Sequence, residues 1–141
     1  MSSMSGEYIG RLKRRALNML RAADAAGDPD LALFLSEQAA QLYIKAIYFE
    51  LLGSKIRGHS LRELIGALAR ELESQSYAEQ ARRLREFVAE NRDALVMLEE
   101  AYIESRYGEI GYGPEEAARA GDVVRKLIKL LEEIANDVKL G

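Results

Sequence analysis

The span between Pro29 and Gly53 leaves this chain little freedom. From Asp30 to Leu52 a narrow polar strip runs through Glu37, Gln41 and Lys45, while Leu31, Phe34, Leu35, Leu42, Ile44, Ile47, Phe49 and Leu51 fill most of the remaining circumference. A helix this apolar all round has to be covered by several neighbours, so the pattern predicts the central helix of an all-α bundle. Its ends are marked as well. Pro29 suits a first helical position, where a backbone N–H is not needed, with Asp28 or Asp30 as the cap. Gly53 suits the residue just past the last turn.

Four more helices are predicted around it. Tyr8, Ile9, Leu12, Ala16, Leu20 and Ala23 recur at three- and four-residue spacing and place a first helix over about Ser5 to Ala26. Ser60-Leu-Arg-Glu63 has the form of a capping box and opens a third helix to about Glu73, with Leu61, Leu64, Ile65, Leu68 and Leu72 inward. After the polar break Ser74-Gln-Ser-Tyr77, a fourth helix is expected from Ala78 to Ser105, bent near Asn91. Its inner face is Leu84, Phe87, Val88, Leu95, Leu98, Ala101 and Tyr102. The stretch from Tyr107 to Gly113 holds three glycines in seven residues and reads as a loop. Pro114, followed by Glu115 and Glu116, starts a fifth helix reaching about Lys139. Without alternating strand patterns, repeats or linkers, residues 1–141 are expected to form one antiparallel bundle of about five helices.

Composition removes several function classes. A net charge of −3 speaks against a generally basic nucleic-acid binder, so any such contact needs a local patch. With no cysteine and a single histidine, thiolate metal sites and disulfides are excluded, and no metal or cofactor is expected. No run approaches the length of a membrane span and the N-terminus has no apolar signal core, so a cytoplasmic protein is expected. Fourteen arginines against six lysines and seventeen glutamates against six aspartates fit a thermophilic source. There is no P-loop, nucleophile elbow or Cys/His pair.

What remains for chemistry is local. Lys55, Arg57 and His59 share the loop before the Ser60 cap, beside helix amides where phosphate can bind. Arg11, Arg14, Arg15, Asn18 and Arg21 form one stripe on the first helix, with Lys13 nearby, and the fourth carries Arg82, Arg83 and Arg85. Each stripe suits a phosphate backbone, and each also suits a solvated face. Arg106 follows Tyr102 by four positions and is flanked by Tyr107 and Tyr112. A guanidinium there can clamp a phosphate while a tyrosine ring stacks on a base, or simply complement a helix dipole.

The run Glu37-Gln38-Ala39-Ala40, then Lys45-Ala46, Gly53, Gly58-His59-Ser60-Leu61 and Leu64, resembles the first half of a HEPN domain, a small helical module of nucleotide- and RNA-related proteins. Ser105-Arg106-Tyr107 before the loop, with Pro114-Glu115-Glu116-Ala117, resembles the second half, so the likeness spans about residues 5 to 139. It implies a homodimeric bundle of about five helices, often standing beside a minimal nucleotidyltransferase in a toxin–antitoxin-like pair. Active members are metal-independent ribonucleases with an arginine followed after four to six residues by a histidine. Arg106 matches that arginine. Tyr112 stands six positions on, where the histidine would satisfy the spacing. A phenol with a pKa near 10 is a poor acid or base at neutral pH, and losing an imidazole that acted so costs on the order of 10²–10⁴-fold.

The expected function is nucleotide or RNA binding, with Arg106, Tyr107, Tyr102, His59, Lys55 and Arg57 as binding residues. The alternatives are a ribonuclease using Arg106 and Tyr112, and a purely structural dimeric adaptor.

Overall fold

The computed structural model describes residues 3–104, 108 and 111–141. Six helices appear among them: α1 (Ser3–Ala25), α2 (Pro29–Leu52), α3 (Leu61–Ser74), α4 (Ala78–Glu90), α5 (Arg92–Glu104) and α6 (Pro114–Leu140). Among the described residues there is no strand. The fold is all-α, as the sequence predicts, with one helix more than expected.

The extra helix comes from Asn91. Its backbone N–H and its side-chain Nδ2 both donate to the Phe87 carbonyl, at 3.0 and 2.9 Å. Its own carbonyl accepts from the Leu95 N–H at 3.0 Å. Asn91 therefore ends α4 and begins α5, where the sequence predicts only a bend. An Asn side chain that satisfies an end-of-helix carbonyl lets the axis change direction at one residue.

The other ends are built by local chemistry. Asp28 caps α2 by accepting from the Asp30 N–H at 3.0 Å. Gly53 closes α2 in the left-handed region at φ 75°, its N–H on the Phe49 carbonyl at 2.9 Å. Ser60 Oγ accepts from the Glu63 N–H at 3.4 Å at the start of α3. Glu116 reaches back to the Gly113 N–H at 2.9 Å and opens α6.

α2 is the central element, packed against α1, α3, α5 and α6. Leu33, Ala39, Ala40, Ile44, Ala46 and Ile47 are fully enclosed. The alanines let neighbouring backbones approach, while Leu and Ile supply burial at ~1.5–3 kcal/mol each. Leu31, expected on the apolar circumference, stays exposed near the start of the helix. The predicted inner face of α3 is buried at all five positions. Enclosure also swallows part of the polar strip: Glu37 and Gln41 are buried.

Outside the core, carboxylates tie the helices together. Lys13 of α1 pairs with Glu132 of α6 at 2.7 Å and with Glu50 of α2 at 3.1 Å. The Tyr43 hydroxyl donates to Glu132, and Lys139 holds Glu50 at 2.9 Å.

Ser76 takes φ 72° in the turn between α3 and α4. A left-handed position favours glycine by about 1 kcal/mol over a residue with a Cβ. Gly53→Ala is expected to destabilise the protein by about that amount, and Ser76→Gly to stabilise it by a similar amount. Urea unfolding of the two variants checks the opposite signs.

Candidate functional site

The connector between α2 and α3, residues 53–60, decides which predicted residues meet. Ile56 packs into the main core, whereas Lys55, Arg57 and His59 are exposed. The connector carries His59 to α5, where its ring meets Tyr102 edge-on, centroids 5.0 Å apart at 78°. Positions 43 apart in sequence thus become neighbours, and Tyr102 precedes Arg106 by four positions. Arg106 and Tyr107 themselves lie outside the described residues, as does Ser105.

Tyr112 joins the same end of α5. Its hydroxyl donates to Glu100 Oε1 at 2.8 Å, and its N–H donates to Asp30 Oδ1 of α2 at 2.8 Å. Burial, the hydrogen bond to Glu100 and the negative field of Glu104 and Asp30 push the phenol well above its ordinary pKa. Tyr112 is thus a donor held in its protonated form, a weaker acid than an ordinary tyrosine. Glu104 Oε2 is buried, with no hydrogen-bond partner among the described residues.

Lys55 goes elsewhere. Its ammonium sits 4.6 Å from the centroid of the Tyr8 ring, which itself packs edge-on against Phe49 at 5.0 Å. Arg57 lines a recess of about 210 Å³ beside Glu63 and Arg70. Lys55, Arg57 and His59 therefore lie along the connector with different neighbours.

The helix amides beside His59 are not free for phosphate. Glu99 Oε2 accepts from the Arg62 N–H at 3.2 Å, and Ser60 takes the Glu63 N–H. Glu99 also receives the Arg62 guanidinium in two bonds, of 2.9 and 3.0 Å. A carboxylate from α5 thus takes the Arg62 amide at the start of α3, where the helix dipole favours an anion.

Glu37, which periodicity placed on the polar strip of α2, is buried. Its side chain accepts from Gln38 at 2.8 Å and from Gln41. Desolvation raises its pKa from 4.5 to about 7, and the nearby Glu99 adds to the shift; the two amides and Lys45 oppose it. The only signal in the sequence was a Glu on a helix too apolar to leave it a wet side.

The arginines of α4 are consumed within the chain. Arg82 pairs with Glu79 and Glu86, Arg83 with Glu133 at 2.7 Å, and Arg85 with Glu73 at 2.9 Å. Among the described residues no group of three or more His, Asp or Glu side chains is placed to hold a metal. A separate recess of about 300 Å³ lies between the α1–α2 turn and α6, lined by small residues such as Ala32, Ser36 and Gly121 and rimmed by Arg125.

The HEPN domain family model matches residues 9–134, and the chain belongs to that family. Curated proteins and solved structures gave no significant match. Membership points to a nucleotide- or RNA-related role, and domains of this family commonly dimerise. Among the described residues no helix is long and apolar enough to cross a membrane.

Because native Glu37 keeps its proton to about pH 7 and the unfolded chain releases it near 4.5, ionisation costs folding free energy. The cost is absent below pH 4.5, grows as pH rises, and is complete above about 7. Glu37→Gln removes it. The variant is expected to gain about 2 kcal/mol on the wild type between pH 5 and pH 8, as read from urea midpoints at both pH values.

Proposed function

We propose that this protein binds a nucleotide or an RNA phosphate at the end of α5, with Arg106 as the anion clamp and Tyr107, Tyr102 and Tyr112 around it. His59 contributes an aromatic edge, and Lys55 and Arg57 approach along the connector. The family match over residues 9–134 carries this reading. The His59–Tyr102 contact supports it, because Tyr102 precedes the proposed clamp by four positions. The buried Glu104 Oε2 and the rim carboxylate Glu100 offer acceptors for sugar hydroxyls or base amino groups. The chain acts as a single helical module and a homodimer, and its protein partner is a minimal nucleotidyltransferase in a toxin–antitoxin-like pair.

Titration of ATP and a short RNA against the wild type, Arg106→Ala and Tyr102→Ala tests the site. Loss of the guanidinium is expected to weaken binding by about 2 kcal/mol, and loss of the ring by ~1 kcal/mol or more. Equal affinity in all three proteins rejects the assignment.

A second reading, metal-independent RNA cleavage, is favoured by one observation: the chain's single imidazole packs on Tyr102 although it stands far from the family's histidine position. In that reading Arg106 stabilises the developing phosphorane charge, and His59 or Tyr112 moves the proton. Degradation of total RNA in a chelator-containing buffer, abolished by His59→Ala or by Tyr112→Phe, is the expected result. Intact RNA after incubation with the wild type rules it out.

A further inference from the structure

The exposed face of α1 has a charge balance unlike that of the rest of the molecule. Arg11, Arg14, Arg15 and Arg21 lie on it with Glu7 as the acid among them, in a chain whose net charge is −3. Arg21 bonds the neutral Asn18. Arg11, Arg14 and Arg15 enter no ion pair with any described residue, whereas the three arginines of α4 all do. Asp24, farther along α1, is taken by Arg125 of α6. An arginine stripe left uncompensated keeps its full field for a partner, while a paired one does not.

This stripe runs into the connector. Arg11 and Lys55 line one groove of about 330 Å³ with Met4, Glu7, Tyr8 and Phe49. The Tyr8 ring holds the Lys55 ammonium over that groove. From there Lys55, Arg57 and His59 project outward at alternate positions, with Ile56 turned in, and His59 ends on Tyr102. Arg11, Lys55 and Arg57 thus make a line from α1 along the connector, and His59 carries it to the end of α5. A line of separated cations with aromatic rings at intervals matches a flexible polyanion with bases.

We propose that the outward face of α1 and the 53–60 connector form one track for single-stranded RNA, leading to the site at the end of α5. The track rests on the nucleotide and RNA reading above and narrows it: the preferred ligand is an oligonucleotide. Arg11, Arg14 and Arg15 hold backbone phosphates, Lys55 and Arg57 continue the path, and His59 and Tyr102 meet a base.

Fluorescence anisotropy with a 12-nucleotide oligouridylate, run beside calorimetric titration of AMP, tests this. The proteins are the wild type, an Arg11→Glu/Arg14→Glu/Arg15→Glu variant, its glutamine counterpart, and an Arg82→Glu/Arg85→Glu/Arg92→Glu control with the same change in net charge. The α1 variant is expected to lose at least about tenfold in RNA affinity, and the salt dependence to flatten by about two units. The glutamine variant is expected to show a smaller loss of the same sign, and AMP binding and the control to stay within about threefold. Unchanged RNA affinity and salt slope in the α1 variants overturn the track and leave the site at α5 standing if AMP still binds. Loss of RNA affinity in the control equal to that in the α1 variant also overturns it. So does a polyglutamate peptide binding the wild type as tightly as the RNA. Failure of the wild type to bind either AMP or RNA overturns the track and the proposed function together.

Discussion

Four helices close on α2, and the rest of the molecule is arranged around that enclosure. Burying a helix on several sides is favourable only while every side is apolar or internally bonded. Ala39, Ala40, Ala46 and the leucines and isoleucines meet the first condition. Glu37 meets the second, with Gln38 and Gln41 donating to it. Its carboxyl sits near Glu99, which in turn is held by Arg62 and by the backbone of α3. The desolvated acid, the α5 carboxylate and the start of α3 therefore form one electrostatic unit. Removing Arg62 would leave half-buried Glu99 beside the buried acid Glu37 without its cation, so the guanidinium supports the core as well as the surface.

Much of this was legible from residues read locally. Asp28, Ser60, Pro29 and Pro114 announce helix starts through their own side chains or rings, and Gly53 announces an end; none needs a distant partner. The inner faces of α1 and α3 follow from period alone. The split at Asn91 was visible only as a bend, because whether an Asn side chain turns back onto a carbonyl depends on the packing of both flanking segments. Periodicity also could not say how many neighbours cover a given side, so Glu37, Gln41 and Lys45 read as one strip although only the first two are buried.

The candidate site was less legible for the same reason. His59 and Tyr102 meet because of the path an irregular connector takes, and no spacing rule encodes that path. Lys55 looked like part of the same cluster and instead pairs with a ring on α1. The amides at the start of α3 looked open, and those of Arg62 and Glu63 are taken by the Glu99 carboxylate and by Ser60 Oγ. The two arginine stripes looked alike in sequence. Only the placement of Glu73, Glu79, Glu86 and Glu133 separates a neutralised stripe from a free one.

Ile56 gives the connector a keel. Its half-buried side chain packs against the core between two outward cations, so rolling the segment about its own axis would expose more apolar surface to water. Its length is then as constrained as that of a helix: one residue gained or lost ahead of Ile56 would alter the reach of Lys55 back to α1, and one after it would turn the imidazole away from α5. Relatives that keep this geometry should therefore not tolerate a change in count here.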